Sequence, residues 1–330
     1  MSSPTVLDIM RKRKAEGSLP NQRKDPHRLA LVVEGGGMRG AISAGMATAL
    51  HELGYRNVFD VMVGSSAGAM NLLYMLSAQG ALGASIYPTE LCNSNFISLW
   101  RTFNSKHPLM NLEYLLDHIM LEKHPLDVPK ILKSAIDFNV IATHAHTGQK
   151  VVLSHFRTRH RLRQALRATA RIPGVSGGPI RFNKEPLIDG CFAEFIPLAS
   201  AFENGASHAL VLLNLPDEQY HQKPTYLEQR IVGRELKRIG SALAETYPNS
   251  HTEQNNQLYL VRAAHERNVK ACYLPKDGPL IPTLCQDEEL LWQGMFAGFR
   301  QICAMLGEPD TPLPALWLQL RDAANDRGKK

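Results

Sequence analysis

Two short apolar segments, each followed at once by a glycine-rich turn, constrain the fold of this chain more than any other feature. The first is RLALVV at residues 28–33, which precedes EGGGMRG, and the second is FDVMVG at residues 59–64, which precedes SSAG. Helix-forming segments, AISAGMATALHELG and AGAMNLLYMLSAQG, follow the two turns. Strand, tight turn and helix in this repeated order are typical of a parallel sheet with crossover helices. The sequence therefore predicts an α/β fold.

Length and composition fit one large α/β domain with additional segments at both ends. The chain has 330 residues, of which 44% are hydrophobic and 21% charged, as in ordinary globular proteins. We expect a polar, flexible segment at residues 1–27, with a short helix around residues 5–15 as the alternative there. The main domain is expected at residues 28–215, and a mostly helical region that packs on the core at residues 216–330. In the last region LEQRIVGRELKRIGSALAETY and ELLWQGMFAGFRQICAML predict helices, whereas QLYLVRAA predicts a strand.

Targeting signals and cysteine usage bear on the compartment. No segment approaches the ~18 uninterrupted apolar residues that a membrane-spanning helix needs, and the N-terminal residues lack the apolar core of a secretory signal. The five cysteines are odd in number and form no Cys-x-x-Cys pair, which indicates reduced thiols. We therefore expect a cytoplasmic protein.

Positive charge is concentrated in two parts of the chain. Residues 1–28 contain seven Lys or Arg against three Asp or Glu, and residues 155–171 contain six arginines and no acid. Such clusters attract anionic partners, although they also occur as solvated surface. No nucleic-acid motif accompanies them, so no nucleic-acid partner is expected. For residues 155–171 we expect docking of an anionic headgroup or peripheral contact with the inner membrane face.

A serine between two glycines follows the second apolar segment. Residues 64–68 read GSSAG, which is Gly64, Ser65, Ser66, Ala67 and Gly68. A strand before this motif and a helix after it are the context in which Gly-x-Ser-x-Gly forms a strained turn that exposes the central hydroxyl. The glycines allow the strand and the helix to approach closely, and the helix N-terminus favours developing negative charge. We interpret Ser66 as a nucleophile, with a turn of no other role as the alternative.

Three consecutive glycines in EGGGMRG, residues 34–40, follow the first apolar segment. Backbone N–H groups that glycines leave uncovered suit an oxyanion hole. The spacing of Gly35, Gly37 and Gly40 also matches the dinucleotide-binding fingerprint. That fingerprint requires an acidic residue at the end of the second strand, whereas Asp60 opens its strand. The dinucleotide interpretation is therefore weak, and no cofactor is expected.

A serine nucleophile needs a base. LIDGCF places Asp189 after a short apolar segment, with Gly190 and Cys191 behind it. A histidine base is the alternative, although the histidines that follow in the chain have no comparable setting; they are His208, His221, His251 and His265. His144 and His146 alternate on one predicted strand face without a third ligand, so no metal site is expected.

Together, EGGGMRG, GSSAG and DGC resemble the three signature segments of the patatin-like phospholipase family, in the family's order. The resemblance extends from about Leu29 to Leu215 and includes ATARIPG before the aspartate. The C-terminal third is similar only to the additional region of some bacterial members. The resemblance implies a three-layer α/β/α fold with a mainly parallel sheet, and hydrolysis of lipid acyl esters by a Ser–Asp dyad without histidine, metal or cofactor.

Carried over to this chain, the resemblance implies that Ser66 is the nucleophile and Asp189 the base. The oxyanion hole would lie in the glycine loop, which comprises Gly35, Gly36, Gly37, Met38, Arg39 and Gly40. Cys191 stands where the family usually has Gly or Ala. A free carboxylate with a pKa of ~3.9 is a poor base near neutrality, so we expect burial to raise the pKa of Asp189.

We therefore predict a serine acyl-ester hydrolase that acts on phospholipid, lysophospholipid or a related lipid through an acyl-enzyme. An acyltransferase would share that intermediate, and Cys191 alone favours a non-catalytic lipid-binding or regulatory protein on the same scaffold. The helix around residues 290–306 either caps an acyl pocket or packs on the core; its large side chains are Trp292, Met295, Phe296 and Phe299. The sequence does not indicate the headgroup, the acyl position, the chain length or the oligomeric state.

Overall fold

A mixed sheet of eight strands lies at the centre of the protein. The computed structural model describes residues 3–98, 100–101, 108–220, 225–264 and 268–328. The strand order is β5-β6-β3-β2-β1-β7-β8, with β4 paired to β3. The strands are β1 (Leu29–Val33), β2 (Val61–Ser65), β3 (Asp137–His144), β4 (Lys150–Leu153), β5 (Ile180–Phe182), β6 (Glu185–Asp189), β7 (His208–Leu212) and β8 (Val269–Cys272). β1, β2, β3, β7 and β8 are parallel, and β4, β5 and β6 pair in antiparallel fashion.

Helices cover both faces of the sheet. Alternate residues of a strand point to opposite faces, and in β1 Leu29, Leu31 and Val33 pack in one apolar cluster while Ala30 and Val32 pack in another. The first cluster includes α2, α3, α4 and α11, and the second includes α7 and α10. The helices are α1 (Val6–Ala15), α2 (Ala41–Glu52), α3 (Ala67–Leu76), α4 (Gly80–Glu90), α5 (Val128–Leu132), α6 (Arg159–Thr169), α7 (Leu198–Glu203), α8 (Tyr226–Arg238), α9 (Leu243–Thr246), α10 (Ser250–Ala264), α11 (Glu288–Leu306) and α12 (Ala315–Gly328). The predicted three-layer α/β/α fold with a mostly helical C-terminal region is confirmed.

Strand β3 extends beyond the end of β2, and β6 uses the edge that this leaves open. Ile141 pairs with both Ser65 of β2 and a residue of β4, whereas the next residue, Ala142, pairs with Asp189 of β6 and again with β4. Since β4 occupies one side of β3, β2 and β6 share the other side. The end of β6 therefore meets the end of β2, which brings Asp189 next to the turn that carries Ser66.

Helix α11 lies against α2 in direct backbone contact. A Cβ atom added at Gly45 would lie 2.0 Å from the carbonyl oxygen of Met295, and one added at Gly298 would lie 2.1 Å from that of Ile42. The aromatic side chains of α11 form a stack with Trp317 of α12. Of the two roles expected for α11, packing on the core is the one observed. No described helix combines the length and the apolar character that a membrane crossing requires.

Two expectations about local structure are wrong. The N-terminal segment is not a flexible chain but contains α1, which starts with a capping box between Thr5 and Asp8 and buries Val6, Ile9 and Met10. Its apolar residues recur at helical spacing, which the many charges around them obscured. The segment QLYLVRAA is part of α10, where Leu258 and Val261 are buried one turn apart, and the strand follows later as β8.

Asp60 at the start of β2 ties the N-terminal segment to the sheet. Its carboxylate accepts hydrogen bonds from Arg13 and Arg23, each at 2.7 Å, and from the Leu29 N–H at 2.8 Å. The Arg13 side chain is fully buried and also pairs with Asp25 at 2.8 Å. Because two arginines already occupy Asp60, it is not available to hold a ribose. The dinucleotide interpretation is therefore excluded at this residue.

We predict that Asp60→Asn lowers the free energy of unfolding by about 3 kcal/mol, because it removes one partner from a buried ion pair. Urea unfolding followed by circular dichroism would measure the change. The matched control is Asp137→Asn at the start of β3, whose exposed pair with Arg28 contributes about 1 kcal/mol or less. Equal effects of the two substitutions would contradict a structural role for the buried cluster.

Candidate active site

Ser66 lies in a strained turn between β2 and α3. Its backbone dihedrals are φ 52° and ψ −125°, a region that non-glycine residues rarely adopt outside functional sites. The side chain is 8% exposed and stands at the N-terminal end of α3. The turn therefore holds a hydroxyl at the opening of a cavity instead of burying it in the sheet.

Close backbone contacts enforce this turn. A Cβ atom at Gly64 would lie 2.7 Å from Ala69, and one at Gly68 would lie 2.4 Å from the carbonyl oxygen of Glu34. Gly35 is similarly close, since its Cβ would lie 3.1 Å from that of Ser66. The first turn of α3, the end of β2 and the glycine loop after β1 thus touch without side chains between them.

The hydroxyl of Thr169, at the end of α6, fixes the backbone of Ser66. Its Oγ1 accepts a hydrogen bond from the Ser66 N–H at 2.8 Å and donates one to the carbonyl oxygen of Ile141. Both groups are buried, so the hydroxyl satisfies a donor that the strained turn would leave unpaired. Sequence reasoning missed Thr169, although it lies in the ATARIPG segment that resembles the family.

Asp189 ends β6 in a fully buried position beside Ser66. Its Oδ1 accepts the Cys191 N–H at 2.9 Å, and its backbone is fixed by the Arg171 carbonyl at 2.8 Å and by the Thr143 hydroxyl at 2.7 Å. Its Oδ2 has no hydrogen-bond partner with full geometry among the described residues, although the Ser66 hydroxyl is near enough to lower the pKa of the carboxyl. Catalytic hydrogen bonds are often long or poorly aligned before a substrate binds, which leaves Oδ2 as the oxygen available to the Ser66 proton.

Burial raises the pKa of Asp189 to about 6. The backbone N–H and the thiol of Cys191 and the Ser66 hydroxyl each oppose that shift by stabilising the charged form. The cysteine that replaces the usual Gly or Ala therefore contacts the carboxylate and is accommodated there. Gly190 remains necessary, since a Cβ at that residue would lie 2.3 Å from the carbonyl oxygen of Ile141.

The glycine loop faces Ser66, but two of its expected donors are occupied. The Met38 N–H donates to the carbonyl oxygen of Thr283 at 3.0 Å, and the Arg39 N–H donates to that of Gly36 at 3.2 Å. Of the N–H groups expected around Gly36, Gly37 and Met38, that of Met38 is therefore not free in this conformation, and neither is that of the adjacent Arg39. The N–H groups of Gly36 and Gly37, whose φ angles are 155° and 58°, are the remaining candidates at the tip of the loop.

A segment of the C-terminal region closes over the glycine loop. The Arg39 guanidinium donates to the carbonyl oxygen of Ile281 at 3.1 Å and lies 3.4 Å from the Thr283 hydroxyl. A Cβ at Gly37 would lie 2.7 Å from the Thr283 carbonyl oxygen. At the other end of the loop Gly40 contacts Tyr87 and Ala67. Arg39 therefore holds residues 281–283 in place and does not point into an open site.

Glu34 anchors the base of the glycine loop. It is 1% exposed, and its Oε1 accepts hydrogen bonds from the Tyr220 hydroxyl at 2.6 Å and from the Asn214 N–H. The Asn214 side chain in turn donates to the carbonyl oxygen of Gly35 at 3.1 Å. Burial raises the pKa of Glu34 to about 7. Only the position of Glu34 directly before the glycines could have signalled this role.

An apolar cavity of about 170 Å³ opens beside Ser66. Helices α3 and α4, the π-helix over Tyr114–Lys123 and residues 170–176 supply most of its wall. The C-terminal region, of which sequence reasoning considered only the helix around residues 290–306 for this site, adds Glu228, Val232, Tyr247, Thr283 and Leu284. No histidine lines the cavity within the described part of the chain.

The candidate histidines lie away from Ser66. His208 begins β7, at the N-terminal end of the parallel strands, whereas Ser66 follows the C-terminal end of β2. His251 is on α10. His221 and His265 lie outside the described residues. His144 bonds Glu185, and no group of metal-ligating side chains occurs in the described ranges.

Half of the arginines in residues 155–171 are already neutralised. Arg163 and Arg167 pair with Asp117, and Arg171 pairs with Glu113. Contact with an anionic surface thus stays a prediction that rests mainly on Arg157 and Arg159, and vesicle sedimentation at two salt concentrations tests it.

We predict that Thr169→Val lowers kcat about tenfold to a hundredfold with little change in KM, because it removes the bond that fixes the Ser66 backbone. Steady-state ester hydrolysis would measure both constants. Thr48→Val is the matched control, since its buried hydroxyl donates only to Ala44 within α2. Equal losses in both variants would mean that Thr169 is merely structural.

Comparison with known proteins agrees with this architecture. YjjU of Escherichia coli strain K12, an uncharacterized protein, is 24% identical over 275 residues, which cover 80% of this chain and 75% of YjjU. The crystal structure of VipD from Legionella pneumophila superposes with a TM-score of 0.42 and 13% identity, over 86% of this chain and 67% of VipD. The family model described as Patatin-like phospholipase matches residues 31–202. Because that match spans more than half of the chain, the protein belongs to the patatin-like phospholipase family.

Proposed function

We propose that this protein hydrolyses acyl esters of phospholipids, lysophospholipids or related lipids through a Ser66–Asp189 dyad. The observation that carries the proposal is the meeting of a strained, cavity-facing serine with a buried carboxylate whose second oxygen is free to accept a proton. The apolar cavity beside them suits the acyl part of a lipid. Membership of the family supports lipid ester hydrolysis in general.

The residues divide the reaction into two steps. Asp189 takes the proton of the Ser66 hydroxyl while the Ser66 Oγ bonds to the acyl carbon. The N–H groups of Gly36 and Gly37 stabilise the oxyanion that forms. The alcohol or lysolipid leaves with the proton that Asp189 returns, and an acyl-enzyme remains. Water attacks that ester after giving its proton to Asp189, and the fatty acid departs as Ser66 regains its proton.

Two alternatives to hydrolysis are acyl transfer and lipid binding without catalysis. Transfer of the acyl group to an alcohol in place of water would make the protein an acyltransferase through the same intermediate. A non-catalytic lipid-binding role would rest on Cys191, yet the thiol contacts the carboxylate without displacing it. The geometry therefore favours catalysis, and the Ser66→Ala and Asp189→Asn variants distinguish catalysis from binding alone.

We predict that Ser66→Ala and Asp189→Asn each lower kcat on a short-chain p-nitrophenyl ester about a thousandfold or more. Both substitutions are nearly isosteric, and circular dichroism would verify that the variants fold. The controls are His208→Ala and His251→Ala, which should retain activity because neither residue lines the cavity. Loss in Ser66→Ala alone would indicate another base, and a folded parent without activity would support the binding role.

We also predict that kcat/KM rises with pH through about 6 and is constant above about 7. Only ionised Asp189 can accept the serine proton, and burial places its pKa at about 6. A pH series on the same ester would show the rising limb. Glu34 has a raised pKa of its own, so Glu34→Gln is the control and should keep the limb. A flat profile, or a limb that disappears in Glu34→Gln, would contradict the assignment to Asp189.

A further inference from the structure

We propose that the cavity selects acyl chains of medium length, about six to eight carbons, and that Tyr74 forms its end wall. The inference rests on the proposed function, because it concerns the acyl group of the ester that Ser66 attacks. It names a narrower substrate class than lipid esters in general: esters of medium-chain fatty acids, including lipids that carry them.

The positions of the lining residues along helix α3 indicate the depth of the cavity. Ser66 caps the helix, and the lining residues that follow along it are Ala67, Met70, Asn71 and Tyr74. This spacing repeats at helical intervals, so these side chains share one face. Tyr74 is eight residues beyond Ser66, which corresponds to a distance of about 12 Å along the helix axis.

The volume of the cavity agrees with one short chain. The cavity measures about 170 Å³, and an apolar cavity of about 150 Å³ holds a benzene molecule, which has six carbons. Distributed along the depth that α3 defines, such a volume is narrow. A chain of sixteen carbons would leave much of its length outside, where it would gain little from burial.

The lining also fits an acyl chain and excludes polar ligands. Apolar side chains from α4, from the π-helix and from Phe96, Met110 and Leu112 surround the α3 face. Glu228 is the single charged residue in the lining that the structure describes. Asn71 is already bonded to Tyr87 and to the carbonyl oxygen of Gly40. The α3 face of the cavity therefore offers mainly dispersion contacts.

Tyr74 is held firmly at the far end. Its hydroxyl donates to the carbonyl oxygen of His124 at 3.1 Å. Its ring abuts α4 at Gly83, where an added Cβ would lie 2.2 Å from the ring. A ring fixed at the hydroxyl and along one face cannot turn aside for a longer chain. The length limit is therefore a property of rigid packing.

The test is a series of p-nitrophenyl esters, butyrate, octanoate and palmitate, with kcat/KM measured for each. We expect the parent to prefer octanoate to palmitate by about tenfold or more, and Tyr74→Leu to reduce that preference about tenfold by opening the end wall. Met70→Trp fills the cavity closer to Ser66, so it should lower kcat/KM for octanoate about tenfold relative to kcat/KM for butyrate. Tyr55→Leu, which removes a buried ring remote from the lining, is the control and should leave the preferences unchanged.

Equal rates on octanoate and palmitate in the parent, or unchanged preferences in both Tyr74→Leu and Met70→Trp, would overturn the inference. Failure of the proposed function is distinguishable, because it appears as activity that survives Ser66→Ala or as no turnover of any ester. In that case calorimetry of octanoate binding to the Ser66→Ala protein serves as the test. Introducing Met70→Trp into the Ser66→Ala protein should weaken octanoate binding about tenfold. Unchanged binding would reject the cavity as the acyl site.

Discussion

Direct backbone contact between the first turn of α3 and the end of β1 fixes the relative positions of all reacting groups. Gly68 lies against the carbonyl oxygen of Glu34, so the turn that carries Ser66 and the loop that starts at Gly35 share one rigid boundary. Any side chain at Gly68 would push this turn away from the glycine loop by roughly an ångström. A displacement of that size between Ser66 and the proposed oxyanion donors would strongly reduce catalysis. The strain at Ser66 persists because this contact, and the Thr169 hydroxyl behind it, permit no other turn.

The sequence predicted what depends on local patterns. Glycine spacing after two apolar segments was sufficient for the parallel sheet and for Ser66, because each feature lies within about a dozen residues. Asp189 was a candidate from its local setting, but the choice of Asp189 over a histidine required the resemblance to a family. Its approach to Ser66 depends on β3 extending beyond β2, which no spacing reveals. Thr169 and Glu34 act through tertiary contacts, and the helical N-terminal segment depends on a buried ion cluster around Asp60. Such long-range partners are not encoded in a motif.

The C-terminal region is part of the site and not an appendage. Thr283 occupies the Met38 N–H and rests on Gly37, while α8 and Tyr247 complete the cavity wall. The loop that would receive the oxyanion is thus shaped from outside the residues that the family model matches. A change in residues 281–284 or in α8 would therefore alter the glycine loop and the cavity without replacing Ser66 or Asp189.

The contact between α2 and α11 also governs how the chain is made. Gly45 and Gly298 are 253 positions apart, so the part of α2 that α11 covers lacks that partner until residue 298 has been synthesised. At synthesis rates of about 5–20 residues per second, that interval lasts for about ten seconds or more. During it the nascent sheet layer exposes the kind of surface that aggregates or recruits chaperones. Protection of this surface during synthesis therefore matters for folding, in addition to the stability of the finished fold.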